Sequence, residues 1–370
     1  MIRRPTAARA ARLPRPALVL AAAALLLTAC TTAGSPAGDD AAAPSGGSAS
    51  PSPAQPYDAS ALRTPGGKLL GLASAGSPDD LDPVNAFAAK AGHQPDVREY
   101  YQEWGDDFDP DENAKLWGHG QLPMLSWDPT GTALSAIGSG SQDDYLGRFA
   151  EQVRSFRGPL AISFAQEMNG PWNPWGPGHA GADDYVKAWQ HVHDVFRDRG
   201  ATNVIWVWAP HVTDSGAPAA LPPYFPGEDY VDWLGLVGYY GPQDGADYRH
   251  LFAPTVKVLR TLSRKPLLIT ETGVAEGPRK TAQIADLFAG AAGTDGLIGL
   301  VWYDLQKKWP GSSQLTDWRV DSSAAAAAAF AKATADRGFG HPLSSPQPGS
   351  GTATPPAGSG AGPQASSSAR

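Results

Sequence analysis

The chain has 370 residues, 42% of them hydrophobic, so it is long enough for two average domains or for one α/β barrel with tails. The formal charge is −8; without the five arginines of the first 15 residues, 24 basic residues face 37 acidic ones and the charge is −13. A chain this acidic lacks the basic footprint that non-specific nucleic-acid binding requires, so we expect no nucleic-acid partner.

The first 30 residues predict an export signal. Basic residues precede an apolar run, residues 17–27, that is too short to cross a membrane as a stable helix. Residues 27–30 (LTAC) resemble a bacterial lipobox, which implies that Cys30 is lipidated and becomes the first mature residue. We therefore expect residues 1–29 to be a lipoprotein signal peptide and the protein to be exported, anchored at the cell membrane only through Cys30 and facing outside. An ordinary secretory signal with a chance cysteine is the alternative.

Both ends of the chain have the composition of segments that do not fold. Residues 30–62 are rich in Ala, Gly, Ser, Pro and Asp, and residues 341–370 are rich in Pro, Gly, Ser, Thr and Ala. Such segments bury too little apolar area to offset the entropy of ordering. We predict a flexible linker at 30–62, a disordered tail at 341–370 and a single folded catalytic domain at 63–340.

Eight short apolar runs follow one another at intervals of about 33 residues between these tails. They begin near Lys68, Val97, Gln121, Leu160, Asn203, Asp232, Pro266 and Leu297. Most are continuous rather than alternating, as expected for parallel strands buried on both faces, and helical patterns at 143–156 and 183–199 separate some of them. The pattern predicts an α/β fold, a (β/α)8 TIM barrel. A doubly wound sheet is the alternative, but no Gly-rich phosphate loop follows the first run.

Two glutamates stand at the ends of two of these runs. Glu167 follows the fourth run and Glu271 closes the seventh. A buried carboxylate is costly to desolvate, and the carboxyl ends of all barrel strands meet in one mouth. Two carboxylates in one mouth indicate glycosidic bond cleavage, whereas an isolated glutamate could equally form a structural ion pair with a neighbouring Arg or Lys.

Residues 164–176 (FAQEMNGPWNPWG) resemble the strand-4 signature of glycoside hydrolase family 26. Segments 203–210, 232–239, 269–273 and 317–322 match in the same order, so that the resemblance covers about residues 66–335. It implies a (β/α)8 barrel and a retaining, endo-acting hydrolase. Many members of the family cleave β-1,4-mannan, and others cleave mixed-linkage β-glucan or β-xylan.

The resemblance also implies roles for single residues. It makes Glu167 the acid/base, which must begin protonated, and Glu271 the nucleophile, which must begin ionised. It makes Tyr239 the tyrosine that hydrogen-bonds the nucleophile. Three tryptophans correspond to substrate contacts: Trp172 and Trp175 beside the cleavage point, and Trp302 beneath the reacting sugar.

Two positions depart from the family pattern. Gln166 stands where the family usually has His, and its amide can donate the bond that Asn gives to the substrate 2-hydroxyl in related barrel hydrolases. His211 stands where Asn often follows the Pro, and could contribute to specificity.

Three further residues are candidates to line the cleft. Trp127 and Asp128 close the third run, although Asp128 is equally suited to cap a turn before Pro129. Asp304 follows the eighth run and could touch substrate or orient Trp302.

These expectations define a retaining endo-β-glycoside hydrolase that works by double displacement, with β-1,4-mannan as the first choice of polysaccharide. The alternatives are a mixed-linkage β-glucanase, a β-xylanase, an enzyme that trims the cell's own exopolysaccharide and, in a different class, a surface lipoprotein that binds glycans without cleaving them. No HExxH motif or cysteine cluster occurs, so we predict no metal and no cofactor. We expect a monomer.

Overall fold

Eight parallel strands close into a barrel in the order in which they occur along the chain. The computed structural model describes residues 57–213, 220–241, 246–308 and 315–343. The barrel strands are β1 (Leu69–Ala73), β2 (Val97–Glu103), β3 (Leu122–Asp128), β4 (Leu160–Phe164), β5 (Val204–Trp208), β6 (Trp233–Tyr240), β7 (Leu267–Val274) and β8 (Leu297–Tyr303). Each begins within one residue of its predicted apolar run, and β1 pairs with β8 to close the ring. The predicted (β/α)8 TIM barrel is confirmed.

Helices follow the strands and cover the outside of the barrel. They are α1 (Asp82–Ala91), α2 (Pro110–Gly118), α3 (Leu134–Gly138), α4 (Asp143–Phe156), α5 (Ala182–Asp198), α6 (Tyr248–Leu251), α7 (Ala253–Leu262), α8 (Lys280–Gly293) and α9 (Ala324–Arg337). A short hairpin, β9 (Gln306–Lys308) and β10 (Leu315–Asp317), is inserted between β8 and α9. In α4, Asp143 and Asp144 face the positive end of the helix dipole, and Leu146, Phe149 and Val153 are buried toward the barrel.

Side chains alternate between two cores, one inside the barrel and one between the barrel and its helices. Residues such as Met124, Val207 and Val301 belong to the inner cluster, which is built mainly from strand residues. Their neighbours Leu125 and Trp208 belong to the outer cluster with the helix residues. Since successive strand residues point to opposite faces, the order of residues in each strand decides which side chains reach the mouth.

The folded domain begins earlier than predicted. Residues Ala59–Arg63 form a 3-10 turn capped by Asp58, whose Oδ1 accepts the Ser60 N–H at 2.9 Å. Ala59 and Leu62 are buried in the inner cluster, and the Arg63 carbonyl accepts the Trp233 indole N–H at 2.8 Å. Because Trp233 is the first residue of β6, this turn closes the end of the barrel opposite the mouth. The predicted linker boundary at residue 62 was wrong, because two apolar side chains suffice to dock a polar segment.

The carboxyl end of the domain likewise extends past residue 340, since Leu343 is buried in the same cluster. The signal peptide at 1–29, Cys30, the linker up to residue 56 and the tail from 344 to 370 lie outside the described residues. In the part of the chain that the structure describes, no helix is long and apolar enough to span a bilayer.

Candidate active site

Glu167 and Glu271 lie in the same mouth of the barrel, buried with 5% and 6% exposure. Glu167 follows the end of β4 by three residues, and Glu271 lies within β7. Both are close to the Tyr239 hydroxyl. Burial raises the pKa of Tyr239 well above its ordinary value, and the negative charges of Glu271 and Glu167 raise it further. The Tyr239 hydroxyl therefore lies close to the carboxylates of both Glu271 and Glu167, as the barrel geometry predicts.

A bulge in β7 aims Glu271 into the mouth. Ile269 pairs with Leu236 and Glu271 pairs with the next residue, Val237, so that Thr270 is the extra residue. A bulge of this kind re-aims the side chain beside it.

Two tyrosine hydroxyls bind the Glu271 carboxylate. Tyr239, on the neighbouring strand β6, donates a hydrogen bond to Oε1, as the resemblance implies. Tyr101, on β2, donates a hydrogen bond to Oε2. The sequence analysis missed Tyr101. The available signal was its place near the carboxyl end of the second strand, two residues after Glu99 and therefore on the same face.

An unusual backbone presents Glu167. Ala165 and Glu167 have φ angles of 47° and 55°, in the left-handed region that residues with a Cβ rarely adopt. The Glu167 N–H donates to the Ala209 carbonyl at 2.8 Å, and the Ala165 N–H donates to the Trp127 carbonyl at 3.0 Å. Neighbouring strands therefore hold the strained turn, an arrangement that is common at functional sites. The Trp172 indole N–H donates to Glu167 Oε2 at 3.1 Å and fixes the carboxyl group.

Gln166 and Asp128 form a buried pair next to Glu167. The Gln166 amide Nε2 donates to Asp128 Oδ1 at 2.7 Å, and the two residues are 3% and 6% exposed. One amide hydrogen of Gln166, predicted to donate to the substrate, is thus used within the protein. Asp128 directs its carboxylate toward the mouth. The backbone carbonyl of Gln166 accepts the indole N–H of Trp175 at 2.8 Å. Trp175 is 3% exposed and therefore supports this loop from inside the protein.

His211 and Trp172 form one wall of the mouth. Their rings meet edge to face at 5.0 Å, and both side chains are partly exposed. Asn169 holds the His211 backbone through two hydrogen bonds of 2.9 Å, one to the carbonyl oxygen and one from the N–H. The structure therefore places both predicted residues beside Glu167.

Trp302 and Trp127 do not face the mouth, and their prediction as cleft residues was wrong. Trp302 is fully buried, packs edge to face on Phe330 of α9 at 4.9 Å, and donates its indole N–H to the Trp318 carbonyl at 2.9 Å. Trp127 lies between Trp104 and Phe149, with ring centroids 4.6 and 4.2 Å away. Both belong to the outer cluster because of their positions in the alternation of β8 and β3.

The residues next to these tryptophans face inward instead. Tyr303 lies in the inner cluster and meets Tyr239 edge to face at 5.8 Å. Trp318, which follows the inserted hairpin, packs against Tyr239 at 5.5 Å and against Tyr303 at 5.8 Å. Tyr303 and Trp318 therefore form the aromatic wall on the Glu271 side.

Asp304 lies away from the two glutamates. Its Oδ1 accepts the Val320 N–H at 2.6 Å, and it lines a cavity of about 380 Å³ between α1 and the inserted hairpin, together with Lys90 and Arg319. Burial raises the pKa of Asp304 to about 6. Its observed contact holds the segment after the hairpin and does not orient Trp302.

Among residues 57–213, 220–241, 246–308 and 315–343, no group of three or more His, Cys, Asp or Glu side chains could hold a metal ion. The profile of the family described as glycosyl hydrolase family 26 matches residues 125–286, which run from β3 to α8 and include both glutamates. Over this segment the chain resembles glycoside hydrolase family 26, as the sequence analysis expected.

Curated proteins with different polysaccharides in their names resemble this chain. Endoglucanase H of Acetivibrio thermocellus is 28% identical over 266 residues, which are 68% of this chain and 28% of that protein. β-1,3-Xylanase TXYA of Vibrio sp. is 28% identical over 177 residues, 45% of this chain and 37% of that protein. The chain therefore spans well under half the length of these relatives.

A solved structure shares the fold. The catalytic domain of the Bacillus sp. JAMB-750 GH26 endo-β-1,4-mannanase superposes with a TM-score of 0.57 at 14% identity, covering 75% of this chain and 88% of that one. The names of these three proteins refer to three different polysaccharides.

Proposed function

We propose that this protein is a glycosidase, and more closely a retaining, endo-acting β-glycanase that works by double displacement. Glu271 attacks the anomeric carbon and forms a glycosyl-enzyme while Glu167 protonates the departing glycosidic oxygen. Glu167 then removes a proton from the water that releases the sugar. The observation that carries this proposal is the pair of buried carboxylates in one mouth with different hydrogen-bond donors.

Those donors support the assignment of Glu271 as the nucleophile. Two phenol hydroxyls donate to Glu271, and hydrogen bonds to a carboxylate favour its charged form, which a nucleophile needs. The indole N–H of Trp172 donates to Glu167 and holds its carboxyl group in the mouth. The acid/base role of Glu167 follows from the resemblance of residues 164–176.

We propose β-1,4-mannan as the first polysaccharide to test, which is the substrate named for the structural relative. β-Glucan and β-xylan are the second candidate, and two observations favour them: the names of the two curated relatives, and Gln166 paired with Asp128 in place of the usual His. The cell's own exopolysaccharide is a further candidate. A purely glycan-binding role is disfavoured because both glutamates are present and held in place.

We also propose that the enzyme is exported as a monomer anchored only through a lipid on Cys30, with the polysaccharide as its partner and no nucleic acid. The support is the apolar run that ends in the lipobox-like residues 27–30 and the acidic charge of the rest of the chain.

The experiment that tests the activity is hydrolysis of β-mannan, glucomannan, mixed-linkage β-glucan, curdlan and β-xylan by the chain without its predicted signal peptide. Glu167→Gln and Glu271→Gln are compared with Glu151→Gln, a surface glutamate of α4 that pairs with Arg199 at 2.6 Å. We expect one polymer to be cut to oligosaccharides, and each active-site variant to lose about 10²- to 10⁴-fold or more in rate while Glu151→Gln keeps full activity.

Hydrolysis that survives in either active-site variant would contradict the assignment of that residue. A folded wild-type protein that binds oligosaccharides but cuts no polymer would favour the glycan-binding alternative.

A further inference from the structure

The Glu271 carboxylate is held from two sides of the mouth. Tyr239 reaches its Oε1 from the adjacent strand β6, whereas Tyr101 reaches its Oε2 from β2, three strands away around the closed barrel. Both tyrosines pack against the inner cluster, so their rings are confined between barrel side chains. Both carboxylate oxygens are therefore engaged before any substrate binds.

We propose that Tyr101 is a positioning residue of the reaction, which fixes the plane of the Glu271 carboxylate. This inference rests on the proposed function, because it assumes that Glu271 is the nucleophile.

The physical reason is the softness of the last glutamate torsion. Rotation about the bond to a planar carboxyl group has a broad energy profile, so a single donor leaves the carboxylate free to swing. A second donor on the other oxygen, from the far side of the mouth, removes that freedom. A reacting oxygen must lie about 3–3.5 Å from its target with its lone pair aligned, and misalignment lowers the rate.

The hydrogen bonds from Tyr101 and Tyr239 to Glu271 also change during the reaction. One Glu271 oxygen forms a bond to the anomeric carbon as the glycosidic bond breaks, and the leaving oxygen takes the proton of Glu167. The bonded oxygen becomes an ester oxygen and accepts hydrogen bonds poorly, while the other becomes a carbonyl and still accepts. One tyrosine thus loses its acceptor in the glycosyl-enzyme. It recovers a charged, stronger acceptor when water adds to the anomeric carbon, returns its proton to Glu167 and frees the carboxylate.

The same strand offers a matched control. Tyr100 is the residue before Tyr101, and its side chain points to the opposite face of the strand, into the outer cluster. Its hydroxyl donates a hydrogen bond to Asn113 Oδ1 at 2.9 Å. Tyr100→Phe and Tyr101→Phe each remove one hydroxyl from β2, but only the second hydroxyl reaches Glu271.

The test is kcat and KM on the polymer that wild type cleaves, for wild type, Tyr100→Phe, Tyr101→Phe and Tyr239→Phe. We expect Tyr101→Phe to lower kcat about 10- to 100-fold with little change in KM, the size expected for a hydrogen bond to a charged group. Tyr100→Phe should match wild type in both kcat and KM.

Three results would overturn the proposal. A Tyr101→Phe enzyme with the wild-type kcat would remove the positioning role of Tyr101 while leaving the hydrolase assignment intact. An equal loss in Tyr100→Phe would mean that the strand is disturbed rather than the nucleophile. A wild-type protein that cleaves no polymer would overturn the proposed function and this inference together.

Discussion

Two glutamates in one barrel mouth receive hydrogen bonds from different donors. Tyr101 and Tyr239 donate to Glu271, and Trp172 donates to Glu167. In the proposed mechanism Glu271 is the nucleophile and Glu167 the acid/base. At the scale of single residues, these donors hold each carboxyl group in its place in the mouth.

Asp304 gives a residue-scale prediction outside the mouth. Burial raises its pKa to about 6, against about 3.9 in an unfolded chain, so the folded protein holds a proton that the unfolded chain releases between these values. Wild type should therefore lose stability as pH rises from about 4 to about 6. Asp304→Asn removes this titration and keeps an oxygen for the Val320 N–H.

The measurement is the free energy of unfolding of both proteins at pH 4 and pH 7. We expect the free energy of unfolding of Asp304→Asn, measured relative to that of wild type, to be about 2–3 kcal/mol higher at pH 7 than at pH 4. A difference that does not change with pH would show that folding leaves the pKa of Asp304 unshifted.

At the scale of elements, the positions of the strands could be predicted and their faces could not. Each predicted run lies within a residue of a strand because apolar sequence bounded by turn residues is typical of buried parallel strands. The same continuity hides the alternation that shows which face is inward. From the sequence, the side chains of Trp302 and Tyr303 could each point into the barrel or toward the helices. In the structure Trp302 points toward the helices and Tyr303 points into the barrel.

Local irregularities limited the prediction of the site in the same way. The bulge at Thr270 and the left-handed φ of Ala165 and Glu167 occur at residues that do not signal such geometry, since none of them is glycine. The family motif nevertheless predicted the hydrogen bond from Tyr239 to Glu271. Tyr101 lies in a polar and aromatic segment without any such motif, and only the closing of the barrel reveals its contact.

Trp302 gives a prediction at this scale. Because the ring fills the core between β8 and α9, Trp302→Ala should lower the free energy of unfolding by about 3–5 kcal/mol. The folded fraction should keep the wild-type KM, whereas Tyr303→Ala should change kcat or KM because Tyr303 faces the mouth. Chemical unfolding and steady-state kinetics below the transition temperature measure both effects. A stable Trp302→Ala protein with a raised KM would restore the predicted role beneath the sugar.

At the scale of the whole molecule, the two ends of the barrel differ. The turn Ala59–Arg63 and Leu343 close one end, and the mouth with Glu271 opens at the other. Stability and chemistry are usually separated in this way in (β/α)8 barrels. The described chain begins at the closed end.

The anchor itself is the prediction at this scale. We expect the wild-type protein, expressed in a bacterium that processes lipoproteins, to incorporate labelled palmitate and to sediment with membranes. Cys30→Ala should take up no label and appear in the soluble exported fraction, because Cys30 is the only thiol in the chain. Wild-type protein without label, recovered in the soluble fraction, would support the ordinary secretory signal instead.

The central claim is double displacement at Glu271, and the most direct measurement is proton NMR of the first product formed from the polymer that the enzyme cleaves. A double displacement retains configuration, so the new reducing end should appear first as the β anomer and convert to the mixture only later. Initial appearance of the α anomer would mean inversion by a single displacement. Glu271 would then act as a base on water and could not be the nucleophile.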